Sequence, residues 1–146
     1  MKKIMESVAY EELLEKDGQI ITHVVGTSMK PLLKDRQSIV IVEAADRVPP
    51  IKGDVVLYKT NNRYILHRIR KILPEEYLIR GDSTWTMEHV PKEAILATMT
   101  GFYRKPEGKL FTRNSLSYRF YLALLPCIRV IRKYGSRIKQ WFKHRG

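Results

Sequence analysis

Ser28, His67 and Asp82 are of the residue types that together cut amide bonds through an acyl-enzyme. A serine hydroxyl is a weak nucleophile until a base takes its proton, and a neutral imidazole suits that task at physiological pH. The imidazole in turn needs a carboxylate that fixes its tautomer and stabilises its charged form. Ser28 stands in Gly26-Thr27-Ser28-Met29-Lys30-Pro31, directly after the alternating run Ile20-Ile21-Thr22-His23-Val24-Val25. Gly26 allows a sharp turn that exposes a hydroxyl at a strand end, Met29 offers an apolar anchor, and Pro31 keeps the chain from resuming a ladder. Each residue also has a plainer reading. Ser28 suits a turn, His67 suits a core histidine bonded to backbone, and Asp82 suits a turn former between Gly81 and Ser83. Spacing alone leaves open whether the three meet.

The elements that must position these groups are short and mostly β. Residues 4–16 read as a helix with Val8, Leu13 and Leu14 on its apolar face, ended by Asp17-Gly18. Strands follow at 20–25, 38–42, 54–58, 64–72, 77–80 and 94–103, separated by turn residues. In the fourth, alternation sets Ile65, His67 and Ile69 on one face and Leu66 and Arg68 on the other. Frequent turns between short strands predict an antiparallel, mainly β domain rather than a βαβ fold. A helix should start at Ser115 or Ser117 and run to Leu125, with Pro126 breaking or kinking it. From Cys127 on, Val130, Ile131, Tyr134, Ile138, Trp141 and Phe142 fall on one helical stripe, with Arg129, Arg132, Lys133, Lys139 and Lys143 opposite. Cys127 on that stripe is expected to be a small buried residue. The expected division is a catalytic domain over 1–108 and a basic amphipathic helical tail over 109–146.

Composition narrows the classes. The net charge of +12 sits almost entirely beyond residue 100, where Glu107 is the sole acid. A basic tail of this kind implies an anionic partner surface. One cysteine excludes an internal disulfide framework. No metal-ligand spacing or phosphate-cradling glycine loop is present, so neither metal nor cofactor is expected. Glu6, Glu11, Glu12 and Glu15 leave no apolar stretch behind Met1-Lys2-Lys3 for a signal peptide. The longest uncharged stretch of the tail, Phe120–Ile128, is far short of the roughly 20 residues a spanning helix needs. The expected location is cytoplasmic or peripheral to a membrane.

Four blocks, in order, carry a family likeness: Gly26-Thr27-Ser28-Met29-Lys30-Pro31, Gly53-Asp54-Val55-Val56, Ile65-Leu66-His67-Arg68-Ile69 and Gly81-Asp82-Ser83. With these the chain, over about residues 20–104, resembles the type I signal peptidases and their wider clan, which includes the LexA-type self-cleaving repressors. His67-Arg68 resembles the endoplasmic-reticulum-type branch, which carries His where most bacterial members carry Lys. The resemblance implies a mainly β, signal-peptidase/LexA-like catalytic domain. It implies Ser28 as nucleophile, His67 as general base and Asp82 as supporting acid, with Gly26, Thr27 and Met29 around the oxyanion and the substrate. Asp54 is expected to shape a turn. The family's glycine-aspartate box usually continues with Asn and a further Asp, where this chain has Ser83 and later Glu88. Many members have Ser two residues before the nucleophile, whereas this chain has Gly26, which leaves the oxyanion to backbone N–H groups, that of Ser28 first.

The expected function is a serine endopeptidase that cuts an extended leader-like or signal-like peptide without a cofactor. The peptide would bind as an added strand. An anionic membrane surface against residues 127–143 is a further expected partner, and nucleic acid is not. The alternative is a peptidase-like module without activity that docks through its basic tail to membrane, nucleic acid or protein.

Overall fold

The computed structural model describes residues 2–145, the side chains of 2–9 excepted. They form two units, residues 1–113 and 114–146. The first is an antiparallel sheet preceded by helix α1, Lys2–Asp17. Leu14 is buried and Leu13 exposed, while the side chain of Val8 lies outside the described residues. Gly18, with φ +71°, turns the chain out of the helix.

The strands are β1 Gln19–His23, β2 Ile39–Ala44, β3 Val55–Thr60, β4 Arg63–Ile72, β5 Glu76–Arg80, β6 Glu88–Pro91, β7 Ile95–Tyr103 and β8 Leu110–Thr112. Their order is β1-β2-β7-β3-β4-β5-β6, with β8 also paired to β7. Strand β7 serves three partners. It pairs with β2 along its length, with β3 through Ile95, Ala97 and Thr98, and with β8 through Gly101–Tyr103. Because β8 completes this ladder, the first unit runs to Arg113 rather than stopping at residue 108. Strands β6 and β8 add to the expected six.

The alternation expected in β4 holds. Val56 pairs with His67 and Tyr58 with Ile65 across the β3–β4 ladder, so these four share a face. On that face Val56, Tyr58, Ile69, Tyr77, Ile79, Val90 and Ile95 form a buried core cluster, with Ile65 packed against it. Each such large apolar side chain contributes about 1.5–3 kcal/mol on full burial. Arg68 pairs with Val55 and Arg80 and points to the other face.

The second unit is one helix, α2, Leu116–Arg145, which continues through Pro126. The expected break does not occur. Proline removes a single backbone N–H donor, and the helix carries helical pattern on both sides of it. Cys127, expected to be buried, is exposed. No helix among the described residues is long and apolar enough to cross a membrane.

Candidate active site

Ser28 lies in the connection that leaves β1. Gly26 adopts φ +105°, and its N–H donates to Asp35 Oδ1 at 2.8 Å. The Arg36 N–H donates to the Val24 carbonyl at 2.7 Å, which closes the connection at its base. Met29, 2% exposed, anchors the loop from below. The Leu33 N–H donates to its carbonyl at 3.0 Å, and the Lys30–Pro31 peptide is cis. Thr27 is exposed and Ser28 half-buried. Of the three residues expected around the oxyanion and substrate, Met29 therefore faces the core and Gly26 has its N–H engaged by Asp35. The Ser28 N–H and Oγ have no hydrogen-bond partner among the described residues.

The loop after β5 holds Ser28 in place. The Ser83 N–H donates to the Ser28 carbonyl at 2.9 Å, and the Ser83 hydroxyl donates to the Thr27 carbonyl at 2.7 Å. Strands β1 and β5 lie far apart in the sheet order, so these bonds close the first unit on itself. Gly81 is the point of closest approach. A Cβ there would stand 2.6 Å from the Ser28 carbonyl oxygen and 3.2 Å from His67 Cδ2. Its lack of a side chain is what lets the Ser28 backbone and the His67 ring come together. Of the ring, Cδ2, the carbon bonded to Nε2, is the atom nearest that position. No hydrogen bond joins Ser28 Oγ to His67 among the described residues.

The other ring nitrogen is fixed by two residues. Tyr58 Oη is 3.2 Å from His67 Nδ1, and the Tyr58 hydroxyl donates to Glu88 Oε2. A tyrosine hydroxyl has one proton. Given to Glu88, it leaves Tyr58 able only to accept from the imidazole, so Nδ1 carries the hydrogen and Nε2 keeps its lone pair. Glu88 Oε1 lies 3.7 Å from Nδ1, close enough to stabilise an imidazolium. Burial on the apolar face lowers the His67 pKa, while the charges of Glu88 and then Asp82 act to raise it. Burial, followed by the hydrogen bond and charge of Glu88, pushes the Tyr58 phenol far above its ordinary range, so it stays protonated.

The expected place of Asp82 needs correction. Its carboxylate accepts Arg68 Nε and Nη2, each at 2.8 Å, and both side chains are 1% exposed. Arg68 Nη1 also donates to the Gly53 carbonyl at 2.7 Å. Arg68 points to the face away from the Tyr58 cluster because residues alternate along β4, and Asp82, in the loop after β5, pairs with it there. Asp82 thus braces the loop that grips Ser28, and the carboxylate at His67 Nδ1 is Glu88. The turn role expected of Asp54 is present: its Oδ2 accepts the Ile51 N–H at 2.8 Å. The same carboxylate is forked by Arg113, whose Nε donates to Oδ1 at 2.9 Å. No group of His, Cys, Asp and Glu among the described residues has the arrangement of a metal site.

Compared with known proteins, the chain matches no family model and no curated protein sequence.

Proposed function

We propose that this chain is a serine endopeptidase of the signal-peptidase type, with Ser28 as nucleophile and His67 as general base. The observation that carries the reading is the convergence at Gly81. The Ser28 backbone and the Cδ2–Nε2 side of His67 meet there, while Tyr58 and Glu88 hold Nδ1 in the tautomer a base needs. The ordered family blocks around Ser28, Gly53, His67 and Gly81 support it, since bonds of Ser83 and Arg68 tie all four together.

In this reading His67 Nε2 takes the proton of Ser28 as Oγ adds to the scissile carbonyl carbon. The tetrahedral oxyanion rests against the Ser28 N–H. The intermediate collapses to an ester on Ser28, and the amine leaves with the proton from Nε2. Water, deprotonated by the same nitrogen, then hydrolyses the ester and restores Ser28. Through both halves the imidazolium is stabilised by Glu88, with Tyr58 between them. Asp82 acts through Arg68 and Ser83 as a positioning residue.

An extended peptide is the fitting substrate. Among the described strands β1 pairs only with β2, which leaves its outer edge open beside the loop of Ser28. Val25, Trp85 and Met87 are exposed on the segments that carry Ser28 and Glu88 and offer apolar contacts to such a chain. The test is incubation of the full chain with a mixed peptide library, read as new termini by mass spectrometry. Discrete cuts are expected. An intact library would transfer the site to a binding module without activity.

A further inference from the structure

We infer that helix α2 is a lipid-surface helix that lies along an anionic bilayer. From Leu116 through Phe120, Leu124, Ile131 and Ile138 to Trp141, apolar residues recur in steps compatible with one helical stripe, and all of them are exposed. Leu116 is 82% and Ile131 69% exposed. The stripe therefore begins a full three turns before Cys127 and crosses Pro126 without interruption. At 30 residues the helix is about 45 Å long. Its sequence holds eight Lys and Arg and no Asp or Glu.

Charge selects the occupant. A second copy of the helix would cover the apolar stripe but would add eight more cations and no acid to the pair, so like charge opposes it. A nucleic acid would satisfy the cations but leave the stripe in water. An anionic lipid surface accepts both, with apolar side chains at the acyl boundary and cations at the head groups. Trp141, Tyr134 and Phe120, all exposed, are the amphipathic and aromatic types suited to that boundary. With charge-bearing residues along its length the helix lies on the surface and does not span it.

The test uses the full chain with vesicles of phosphatidylcholine and phosphatidylglycerol in equal parts, and of phosphatidylcholine alone. Co-sedimentation with the mixed vesicles is expected, weakening as salt rises. Ile131→Asp with Ile138→Asp should abolish it. Lys139→Gln with Lys143→Gln, which keeps the stripe intact, should weaken it by on the order of fivefold for each cation removed. In a Trp85→Phe background the emission of Trp141 should shift to the blue on binding. No binding to the mixed vesicles, binding unchanged by the two Asp substitutions, or equal binding to both vesicle types would overturn the inference. So would a dimer that those Asp substitutions dissolve, or retention of a DNA duplex in preference to the mixed vesicles. Cleavage of a soluble peptide is unaffected by the Ile131, Ile138, Lys139 and Lys143 substitutions, so failure here and failure of the peptidase reading are separate results.

Discussion

The Tyr58 hydroxyl stands 3.2 Å from His67 Nδ1 and donates its hydrogen bond to Glu88. This pairing decides which ring nitrogen can act as a base. It also makes Tyr58 and Glu88 one unit, since the Tyr58 hydrogen bond that fixes the tautomer is accepted by the carboxylate. Glu88→Gln should lower kcat by about 10²–10⁴, on the scale at which a positioned acid–base partner contributes, with KM little changed. Tyr58→Phe removes the acceptor at Nδ1 and should lower kcat in the same direction while leaving the Glu88 charge in place. Steady-state kinetics of the two variants check this, and a Glu88→Gln variant at the full rate would assign the orienting role elsewhere.

The pH profile carries a second prediction. In the proposed mechanism cleavage needs neutral His67, so activity should rise with pH through its ionisation. Burial lowers that pKa from the ordinary 6.5, which places the acid limb of kcat/KM below pH 6.5. Glu88 acts to raise the His67 pKa, so Glu88→Gln should move the limb further down. The same shift has a stability consequence. The unfolded chain binds a proton near 6.5 that the folded chain takes up only at lower pH. The contribution of His67 is therefore complete above pH 6.5 and is lost as pH falls through the lowered pKa. Urea midpoints across this range should fall toward acid less steeply for His67→Gln.

Asp82 should separate from Glu88 in what its loss does. Asp82→Asn leaves Arg68, 1% exposed, without its carboxylate. Breaking a buried ion pair by removing one partner costs about 3–5 kcal/mol. The expected result is a large fall in the denaturation midpoint, with an acid limb moved far less than in Glu88→Gln. Calorimetry and the pH profile of the same preparation check both halves. A normal midpoint with a displaced limb would restore Asp82 to the imidazole.

Much of the fold could be read from residue patterns. Strands β2, β3, β4 and β7 are β-branched or alternating runs between turn residues, and their faces follow from period two. Strand β6 was hidden because Glu88-His89-Val90-Pro91 is short and ends in proline, which reads as an interruption. Strand β8 spans three residues and gains its place only by pairing with β7. At residue 126, of the two courses open to a proline within a helix, the chain does not take the break, and α2 continues through it. In the candidate site, Ser28, His67 and the Gly81–Ser83 loop stand out through the order of the four blocks, since turn chemistry alone suits plainer roles. Tyr58 was not singled out, since it looks like one more apolar strand residue. The available signal was its spacing: two residues from Val56, it shares the face of His67 once β3 and β4 pair. Glu88 was visible as the acid that follows the glycine-aspartate box, but only the hydrogen bond through Tyr58 gives it a role. The sequence pairs Asp82 with His67 as readily as with Arg68, yet alternation along β4 turns Arg68 away from His67 and the Asp82 carboxylate pairs with Arg68.

The most direct measurement is turnover of one peptide, chosen from the library cuts, by the parent chain and by Ser28→Ala side by side. Ser28 is half-buried and its Oγ has no protein partner among the described residues, so the substitution should leave the denaturation midpoint unchanged. The predicted result is a loss of roughly 10⁴–10⁶ in kcat with the fold intact. Cleavage by purified Ser28→Ala at the parent rate would contradict the assignment of Ser28 as nucleophile.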